Sequence, residues 1–204
     1  MKNLEELLSR SASMHRHLCP QQVLGGRMGL LAGKLLNIDV PQKAKRLLTI
    51  AETDGCGVDR ISVATNCTVG HRTLKIEDYG KIAATFADTE SGEAFRIVPR
   101  STIRQLAYQY AQEQISTWKA QLIGYQHMPD EKLFLVQNVK LFAPLQKLMS
   151  RPGRKTICQR CGEEIINERD VFHDGEILCR ACDGHAYYRL VEQTEVEVHV
   201  LPMI

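Results

Sequence analysis

The chain has 204 residues, of which 44% are hydrophobic and 25% charged. This length and composition are typical of a globular protein with one full core and a small additional domain. Basic residues number 26 against 24 acidic ones, giving a net charge of +2. The balance excludes the strongly basic character of a dedicated nucleic-acid binder.

Cysteine usage and hydropathy indicate the cellular compartment. Charged residues interrupt the first 17 positions, and no run of about 18 apolar residues occurs in the sequence. Seven cysteines is an odd number, and four of them form two Cys-x-x-Cys pairs. This pattern favours metal binding in a reducing compartment over a disulfide framework. We therefore expect a cytoplasmic protein that is not embedded in a membrane.

The chain begins with two predicted helices. An amphipathic helix is expected over residues 3–14, and a second starts at a proline and covers residues 20–37. Gly25, Gly29 and Gly33 recur at every fourth position of the second helix. Each glycine costs about 1 kcal/mol relative to alanine inside a helix. Another backbone is therefore expected to approach this face closely, either within the core or across a dimer.

The elements that follow mix strands and helices without a repeating strand–helix–strand unit, which predicts an α+β core. Strands are expected at residues 46–53, 72–76, 81–87, 94–99 and 132–141, and helices at residues 58–65 and 101–121. A polar, turn-rich stretch at residues 150–155 precedes a C-terminal part of different character, which ends in an alternating pattern typical of a strand at residues 194–201. The predicted domains are a core of residues 1–150 and a small module of residues 151–204.

The C-terminal module carries the strongest metal-binding pattern. Cys158 and Cys161 form one pair, and Cys179 and Cys182 form another after seventeen intervening residues. Four thiolates in two such pairs are the ligand set of a tetrahedral structural Zn²⁺ site. Turn residues between the pairs indicate a hairpin, and the second pair opens a segment that can form a helix. We therefore expect a treble-clef zinc finger.

Zinc in this module is expected to be structural and not catalytic. A module of about fifty residues is too small to be stabilised by hydrophobic burial alone, so metal binding is expected to supply its folding free energy. His173 and His185 are interpreted as ordinary polar residues, because four cysteines already complete a tetrahedral ligand set.

Residues 52–71 concentrate more reactive side chains than a core element needs. This stretch holds Cys56, Cys67, Asp54 and Asp59, together with a histidine and three glycines. Glycine and aspartate weaken regular structure, and thiols and carboxylates need partners once buried. We interpret the stretch as the wall of a functional site.

A second group of ligand-type residues precedes the helix at residues 20–37. His15, His17 and Cys19 alternate, so an extended backbone would point all three to one side. Cys19 is the predicted N-cap, where the positive end of the helix dipole favours a thiolate. Imidazole and thiolate suit Zn²⁺ or iron. We expect a second metal site built from His15, His17, Cys19, Cys56 and Cys67, while Cys67 taken alone is equally consistent with core packing.

Three further residues are candidates for catalysis. Asp54 and Asp59 are candidate general bases or partners that orient a ligating imidazole. Lys81 is interpreted either as a residue that binds an anionic ligand or as an ordinary solvated lysine.

Five short motifs occur in order along the first part of the chain: His15-x-His17-x-Cys19-Pro20, Gly25-x-Arg27-Met28-Gly29, Asp54-Gly-Cys56-x-x-Asp59, Asn66-Cys67-Thr68-x-Gly70 and Asp78-Tyr-Gly-Lys81. Together these motifs resemble the FmdE family of formylmethanofuran dehydrogenase subunits. The resemblance covers about residues 10–145 and implies an α+β core, an intertwined homodimer and a cleft in which His and Cys hold a metal. By residue it implies His17, Cys19, Cys56 and Cys67 as cleft residues.

The resemblance implies an accessory or small-molecule-converting partner of a molybdenum- or tungsten-dependent formylmethanofuran dehydrogenase-like enzyme, related to methanogenesis, or of another one-carbon enzyme. Whether the chain is itself an enzyme stays open; a catalytic cleft metal would activate water or polarise a carbonyl. The C-terminal module is also similar to the finger of the DksA/TraR regulators, so a nucleic-acid- or polymerase-binding role is one alternative. An iron–sulfur carrier using Cys19, Cys56 and Cys67 is another.

Overall fold

The computed structural model describes residues 18–111, 116–149 and 153–191. The chain divides into two compact units, with the boundary between residues 149 and 150. Across these ranges no helix combines the length and the apolar character needed to cross a membrane. The helix predicted at residues 3–14 and the strand predicted at residues 194–201 lie outside the described residues.

The first unit combines α-helices with a five-stranded sheet of order β2-β1-β3-β4-β5. Strands β1 and β2 are parallel, and the other neighbouring pairs are antiparallel. The mixed architecture confirms the predicted α+β core. Its elements are α1 (Pro20–Leu35), β1 (Leu47–Ala51), α2 (Cys56–Thr65), β2 (Leu74–Ile76), β3 (Ala84–Asp88), β4 (Ala94–Pro99), α3 (Ile103–Leu106), a 3₁₀ turn (Ala107–Tyr110), α4 (Thr117–His127), α5 (Asp130–Leu133), β5 (Phe134–Asn138) and α6 (Leu145–Met149).

The glycine spacing of α1 is explained by the packing of α1 against α2. A Cβ atom at Gly25 would lie 2.1 Å from the carbonyl oxygen of Gly57, a distance at which a side chain cannot be accommodated without movement of the backbone. A Cβ atom at Gly29 would lie 2.8 Å from the Cβ atom of Ala64. The backbone that approaches α1 therefore belongs to the core of the same chain.

The single helix predicted over residues 101–121 is wrong. The chain forms α3 and the 3₁₀ turn, and then, after residues 112–115, it forms α4. Ala111 ends the first helical run with extended dihedrals, φ −108° and ψ 114°. Helix α4 packs against the turn so closely that a Cβ atom at Gly124 would lie 2.4 Å from the carbonyl oxygen of Ala107. Tertiary packing thus overrides a helical periodicity that continues through the break.

A buried carboxylate ties β3 to the segment that precedes β1. Arg46 donates hydrogen bonds to both oxygens of Asp88, at 3.1 and 2.9 Å. The backbone N–H of Glu90 and the hydroxyl of Ser91 donate to the same carboxylate. The Arg46 hydrogen bond is the main reason that the pKa of Asp88 falls from 3.8 to about 2.

We expect the free energy of unfolding to fall as Asp88 becomes protonated. Its pKa is lower in the folded than in the unfolded chain, so the stabilisation is complete above about pH 4 and is lost as the pH falls towards 2. A shift of this size corresponds to about 2 kcal/mol. Urea unfolding followed by circular dichroism between pH 2 and pH 6 tests this, with Asp88→Asn expected to flatten the profile. The exposed Glu90 provides the matched control, and equal profiles for Asp88→Asn and Glu90→Gln would contradict the assignment.

Residues 153–191, the described part of the second unit, form two hairpins and one short helical turn. Its buried apolar cluster in the described residues is small and contains Cys158, Ile165 and Leu178. The helix predicted after the second cysteine pair is limited to the turn, because Gly184 adopts a positive φ of 90°. The elements are β6 (Lys155–Ile157) paired with β7 (Glu164–Ile166), β8 (Val171–His173) paired with β9 (Glu176–Leu178), and the turn Ala181–His185.

Candidate functional site

The N-terminal ends of α1 and α2 bring Cys19 and Cys56 together. Cys19 is the N-cap of α1, as predicted, and its backbone N–H donates to Oε1 of Gln22 at 3.3 Å. Cys56 is the first residue of α2. A Cβ atom at Gly57 would lie 3.5 Å from the carbonyl oxygen of Gln21, so the residues beside the two cysteines are in contact. Burial raises the pKa of the Cys56 thiol, and the Cys19 thiol raises it further.

Two charged residues of α2 lie beside this thiol pair. Burial makes the largest contribution to the raised pKa of Cys56, and the carboxylate of Asp59 adds to it. Arg60 is 1% exposed. Burial lowers the pKa of Arg60, whereas a Cys19 thiolate raises it, so the guanidinium lies close to Cys19. A charged carboxylate and a buried guanidinium therefore flank the two thiols.

Cys67 occupies a separate, fully buried position. Its sulfur accepts a hydrogen bond from Nε2 of Gln42 at 3.2 Å and donates one to the carbonyl oxygen of Leu47 at 3.3 Å. Burial raises the pKa of this thiol. This environment matches core packing, the interpretation that the sequence left open for Cys67.

The predicted core metal site is therefore brought together in part. Cys19 and Cys56 meet, while His15 and His17 lie outside the described residues. Within the described part of the first unit, no three cysteine, histidine or carboxylate ligand atoms form a cluster. The described residues consequently give no support to an iron–sulfur carrier that would use Cys67 as a third ligand.

A cleft of about 760 Å³ opens beside Cys19. Its volume lies within the range of about 300–1,000 Å³ that is usual for small-molecule sites. Lys81 lies on its wall, as an anion-binding role requires. Asp54 is exposed and does not belong to the described lining. The cleft residues used below are Lys81, Arg100, Arg104, Trp118 and Tyr125.

Four of these residues were missed by sequence reasoning. Arg100 and Arg104 are four positions apart where β4 runs into α3, and Trp118 and Tyr125 are carried by α4. Available signals were the arginine spacing and the presence of a single tryptophan in the chain. Neither signal reveals that α4 folds back to face the end of β4. Arg27 of α1 fixes that position, because it donates to the carbonyl oxygen of Tyr125 at 2.7 Å.

The second unit gathers four thiols into one cluster. The sulfur atoms of Cys158, Cys161, Cys179 and Cys182 all lie within 4.8 Å of one another. The backbone N–H of Cys179 donates to the sulfur of Cys158 at 3.3 Å, and that of Cys182 donates to the sulfur of Cys179 at 3.4 Å. The arrangement is compatible with a small zinc-binding domain, because a tetrahedral ion needs four such donors.

Electrostatics within the cluster also fit a cation. Backbone hydrogen bonds lower the pKa of Cys158 to about 6. The hydrogen bond with the Cys179 side chain is the main reason that the pKa of Cys182 rises to about 12. Because thiolates at this separation repel one another, complete deprotonation of the cluster requires a positive ion.

Both histidines and three of the basic residues of this unit have acidic partners. Nδ1 of His173 lies 2.5 Å from a carboxylate oxygen of Asp183, and neither His173 nor His185 belongs to the ligand cluster. Three basic side chains form ion pairs, and the nucleic-acid alternative therefore gains no support from an uncompensated basic surface here. The pairs are Arg154 with Glu168 at 3.3 Å, Lys155 with Glu164 at 3.0 Å and Arg160 with Glu176 at 3.0 Å.

Residues 14–135 match the sequence model of the family described as FmdE, molybdenum formylmethanofuran dehydrogenase operon. The match spans more than half of the chain, and the chain belongs to the FmdE family. The motifs that carried the resemblance all lie within this region, including Cys19, Cys56 and Lys81.

Comparison with individual proteins agrees with this assignment. A crystal structure of an FmdE-like protein of the tungsten formylmethanofuran dehydrogenase type, from Syntrophus aciditrophicus, matches with a TM-score of 0.59 at 24% identity, covering 92% of this chain and 96% of that one. This likeness shows the fold. A curated "Probable S-adenosyl-L-methionine-binding protein" from Archaeoglobus fulgidus is 28% identical over 210 residues, covering 92% of this chain and 55% of that protein. The chain thus spans about half the length of that relative.

Proposed function

We propose that this chain is a metal-binding FmdE-like protein that holds a metal ion at the mouth of its core cleft, next to a bound small molecule. The observation that carries the proposal is the meeting of Cys19 and Cys56 at two helix N-terminal ends, with Cys19 on the cleft wall. An imidazole from His15 or His17, only a few residues before Cys19, would supply a further donor. Zn²⁺ or iron suits this donor set.

The surrounding residues take defined roles in this proposal. When bound, the ion would polarise a carbonyl group or activate water. Arg60 lies near Cys19 and Asp59 lies near Cys56, where its carboxylate would accept or return a proton. Lys81 on the cleft wall would bind an anionic group of the small molecule.

We assign Zn²⁺ to the four-cysteine cluster as a structural ion. Four sulfur donors within 4.8 Å of one another support this assignment. An ion held by all four sulfur atoms would have no position left for water or substrate. We therefore propose the core cleft, and not this cluster, as the place where a small molecule binds.

We further propose that the protein acts in the cytoplasm as a homodimer and as an accessory partner of a molybdenum or tungsten enzyme. The family description names a formylmethanofuran dehydrogenase operon, and that description supports the partner class. In the described part of the sheet, β5 is the last strand and exposes 41% of Leu135 and 37% of Val136. Such a strand can pair with another chain, which supports the dimer.

Elemental analysis of the purified chain tests the core metal site. We expect Cys19→Ala to lose the core metal and to keep the metal of the four-cysteine cluster, because a single thiolate at the helix ends binds an ion much more weakly than a pair. Cys67→Ala is the matched control, since Cys67 is hydrogen-bonded inside the core, and this variant should keep both ions. Unchanged metal content in Cys19→Ala would remove Cys19 from the ligand set.

A further inference from the structure

We propose that the cleft beside Cys19 takes a planar, negatively charged small molecule, bound by Lys81, Arg100 and Arg104 and stacked on Trp118. This inference deepens the proposed function, on which it rests for the presence of a small molecule in the cleft. It adds the chemical class of that molecule.

The charge of the cleft lining favours a negatively charged ligand. Lys81, Arg100 and Arg104 all contribute to the cleft, and the lining within the described residues includes no aspartate or glutamate. Concentrated positive charge in a concave, partly desolvated surface attracts anions over a longer range than isolated surface cations do. Guanidinium groups pair with carboxylate or phosphate through two parallel hydrogen bonds. Among the described lining residues, an anionic group therefore meets cations without meeting a competing acid.

Backbone hydrogen bonds hold the guanidinium of Arg100 and the main chain of Lys81 in place. Nε of Arg100 donates to the carbonyl oxygens of Glu131 and Phe134, both at 3.0 Å. These contacts fix the plane of the guanidinium at the cleft wall before any ligand arrives. The backbone N–H of Lys81 donates to the carbonyl oxygen of Glu52 at 3.0 Å, which anchors the loop that carries this lysine. Binding consequently costs less ordering of Arg100 than of a free surface arginine.

Trp118 in the cleft wall favours a ligand with a planar ring. Trp118 is 49% exposed even though it lines the cleft, whereas Tyr125 on the same helix is 2% exposed. A half-exposed tryptophan in the wall of a cleft can offer a flat apolar surface to a ring, and aromatic stacking of this kind contributes favourably to binding. Arginine side chains next to it also stack on planar groups. The ligand class is therefore an anion that carries a planar ring.

The same lining disfavours a cationic ligand. The name of the Archaeoglobus fulgidus relative refers to S-adenosyl-L-methionine, whose sulfonium carries a positive charge. In this cleft that charge would face three cations and no described carboxylate. We therefore expect a planar anion to bind more tightly than S-adenosyl-L-methionine does.

The single tryptophan of the chain makes a direct test available, because all tryptophan fluorescence comes from the cleft wall. The full-length protein is titrated with adenosine 5′-monophosphate and with orotate, which carry a phosphate and a carboxylate on planar rings, and with neutral adenosine and S-adenosyl-L-methionine. We expect saturable quenching by at least one anion, with affinity about tenfold or more above that for adenosine and S-adenosyl-L-methionine.

Variants separate cleft binding from a general charge effect. The double variant Arg100→Gln/Arg104→Gln should bind the anion at least about tenfold more weakly, while Arg169→Gln, an exposed arginine of the second unit, should leave binding unchanged. Calorimetry on Trp118→Phe, which reports without fluorescence, should also show weaker binding. Absence of saturable binding by both anions, equal affinity for adenosine, or full affinity in the double arginine variant would overturn the inference.

Metal content and anion binding, measured on the same protein, distinguish the ligand class from the proposed metal site. Loss of the core metal in Cys19→Ala with intact anion binding in the wild type supports both. Anion binding in a protein whose core site holds no metal would support the ligand class and reject the metal role. A protein with the expected core metal that binds neither anion would reject the ligand class alone.

Discussion

Removal of the metal from the four-cysteine cluster should unfold residues 153–191 while the first unit stays folded. The described residues of this unit bury a small apolar cluster of Cys158, Ile165 and Leu178, which is too little to offset the chain entropy of some forty residues. Structural Zn²⁺ sites in small fingers supply about 10–16 kcal/mol of apparent binding free energy at neutral pH. Most of the stability of this unit should therefore disappear with the ion.

Heteronuclear NMR of the full chain checks this prediction. We expect Cys179→Ser, or treatment with a strong chelator, to collapse the amide signals of the second unit to random-coil positions. His185→Gln is the matched control, because His185 adjoins the cluster in sequence but is not one of its four ligands, and its spectrum should stay dispersed. Dispersed signals for residues 153–191 after complete loss of metal would show that the unit folds without it.

Substitution of Gly25 by alanine should destabilise the first unit strongly, whereas the same substitution at Gly57 should not. The two residues face each other where α1 and α2 touch. A Cβ atom at Gly25 would lie 2.1 Å from a carbonyl oxygen, but a Cβ atom at Gly57 would meet its nearest atom at an ordinary 3.5 Å. Overpacking of this kind costs about 3 kcal/mol or more when the backbone has to move. Alanine at Gly57 should be neutral or add up to about 1 kcal/mol through helix propensity.

Chemical denaturation of the two variants measures their free energies of unfolding. Each variant is the control for the other, because both changes add one methyl group at the same helix contact. Equal stabilities would mean that the helices are able to separate without cost. The metal content gives a second readout, since α1 and α2 also carry Cys19 and Cys56 at their N-terminal ends. We expect Gly25→Ala to weaken core metal binding and Gly57→Ala to leave it intact.

The sequence correctly predicted those elements whose position depends on residues close to them in the chain. The proline after Cys19 fixed the start of α1, and the turn-rich residues 88–93 correctly separated β3 from β4. The glycine spacing predicted a close backbone approach, because the cost of glycine in a helix has to be offset by packing. In each case the energetic reason lies within a few residues of the signal.

The elements that were missed depend on contacts between distant residues. The break at Ala111 follows from the docking of α4 against the preceding turn, which the continuous helical periodicity did not reveal. Cys67 was a candidate metal ligand in the sequence, but in the fold its sulfur is hydrogen-bonded to Gln42 and to the backbone of β1. Arg100 and Trp118 become neighbours only through the fold. Sequence patterns therefore pointed to Cys19, Cys56 and Lys81 but not to the arginine and aromatic side chains of the cleft.

Metal counting on the full-length protein distinguishes a core metal ion from the ion of the four-cysteine cluster. We expect two ions per chain in the wild type, one after Cys19→Ala and one after Cys179→Ser, with a different ion lost in each variant. A wild type with a single ion that is lost in Cys179→Ser and kept in Cys19→Ala would contradict the proposed metal site at the meeting point of α1 and α2.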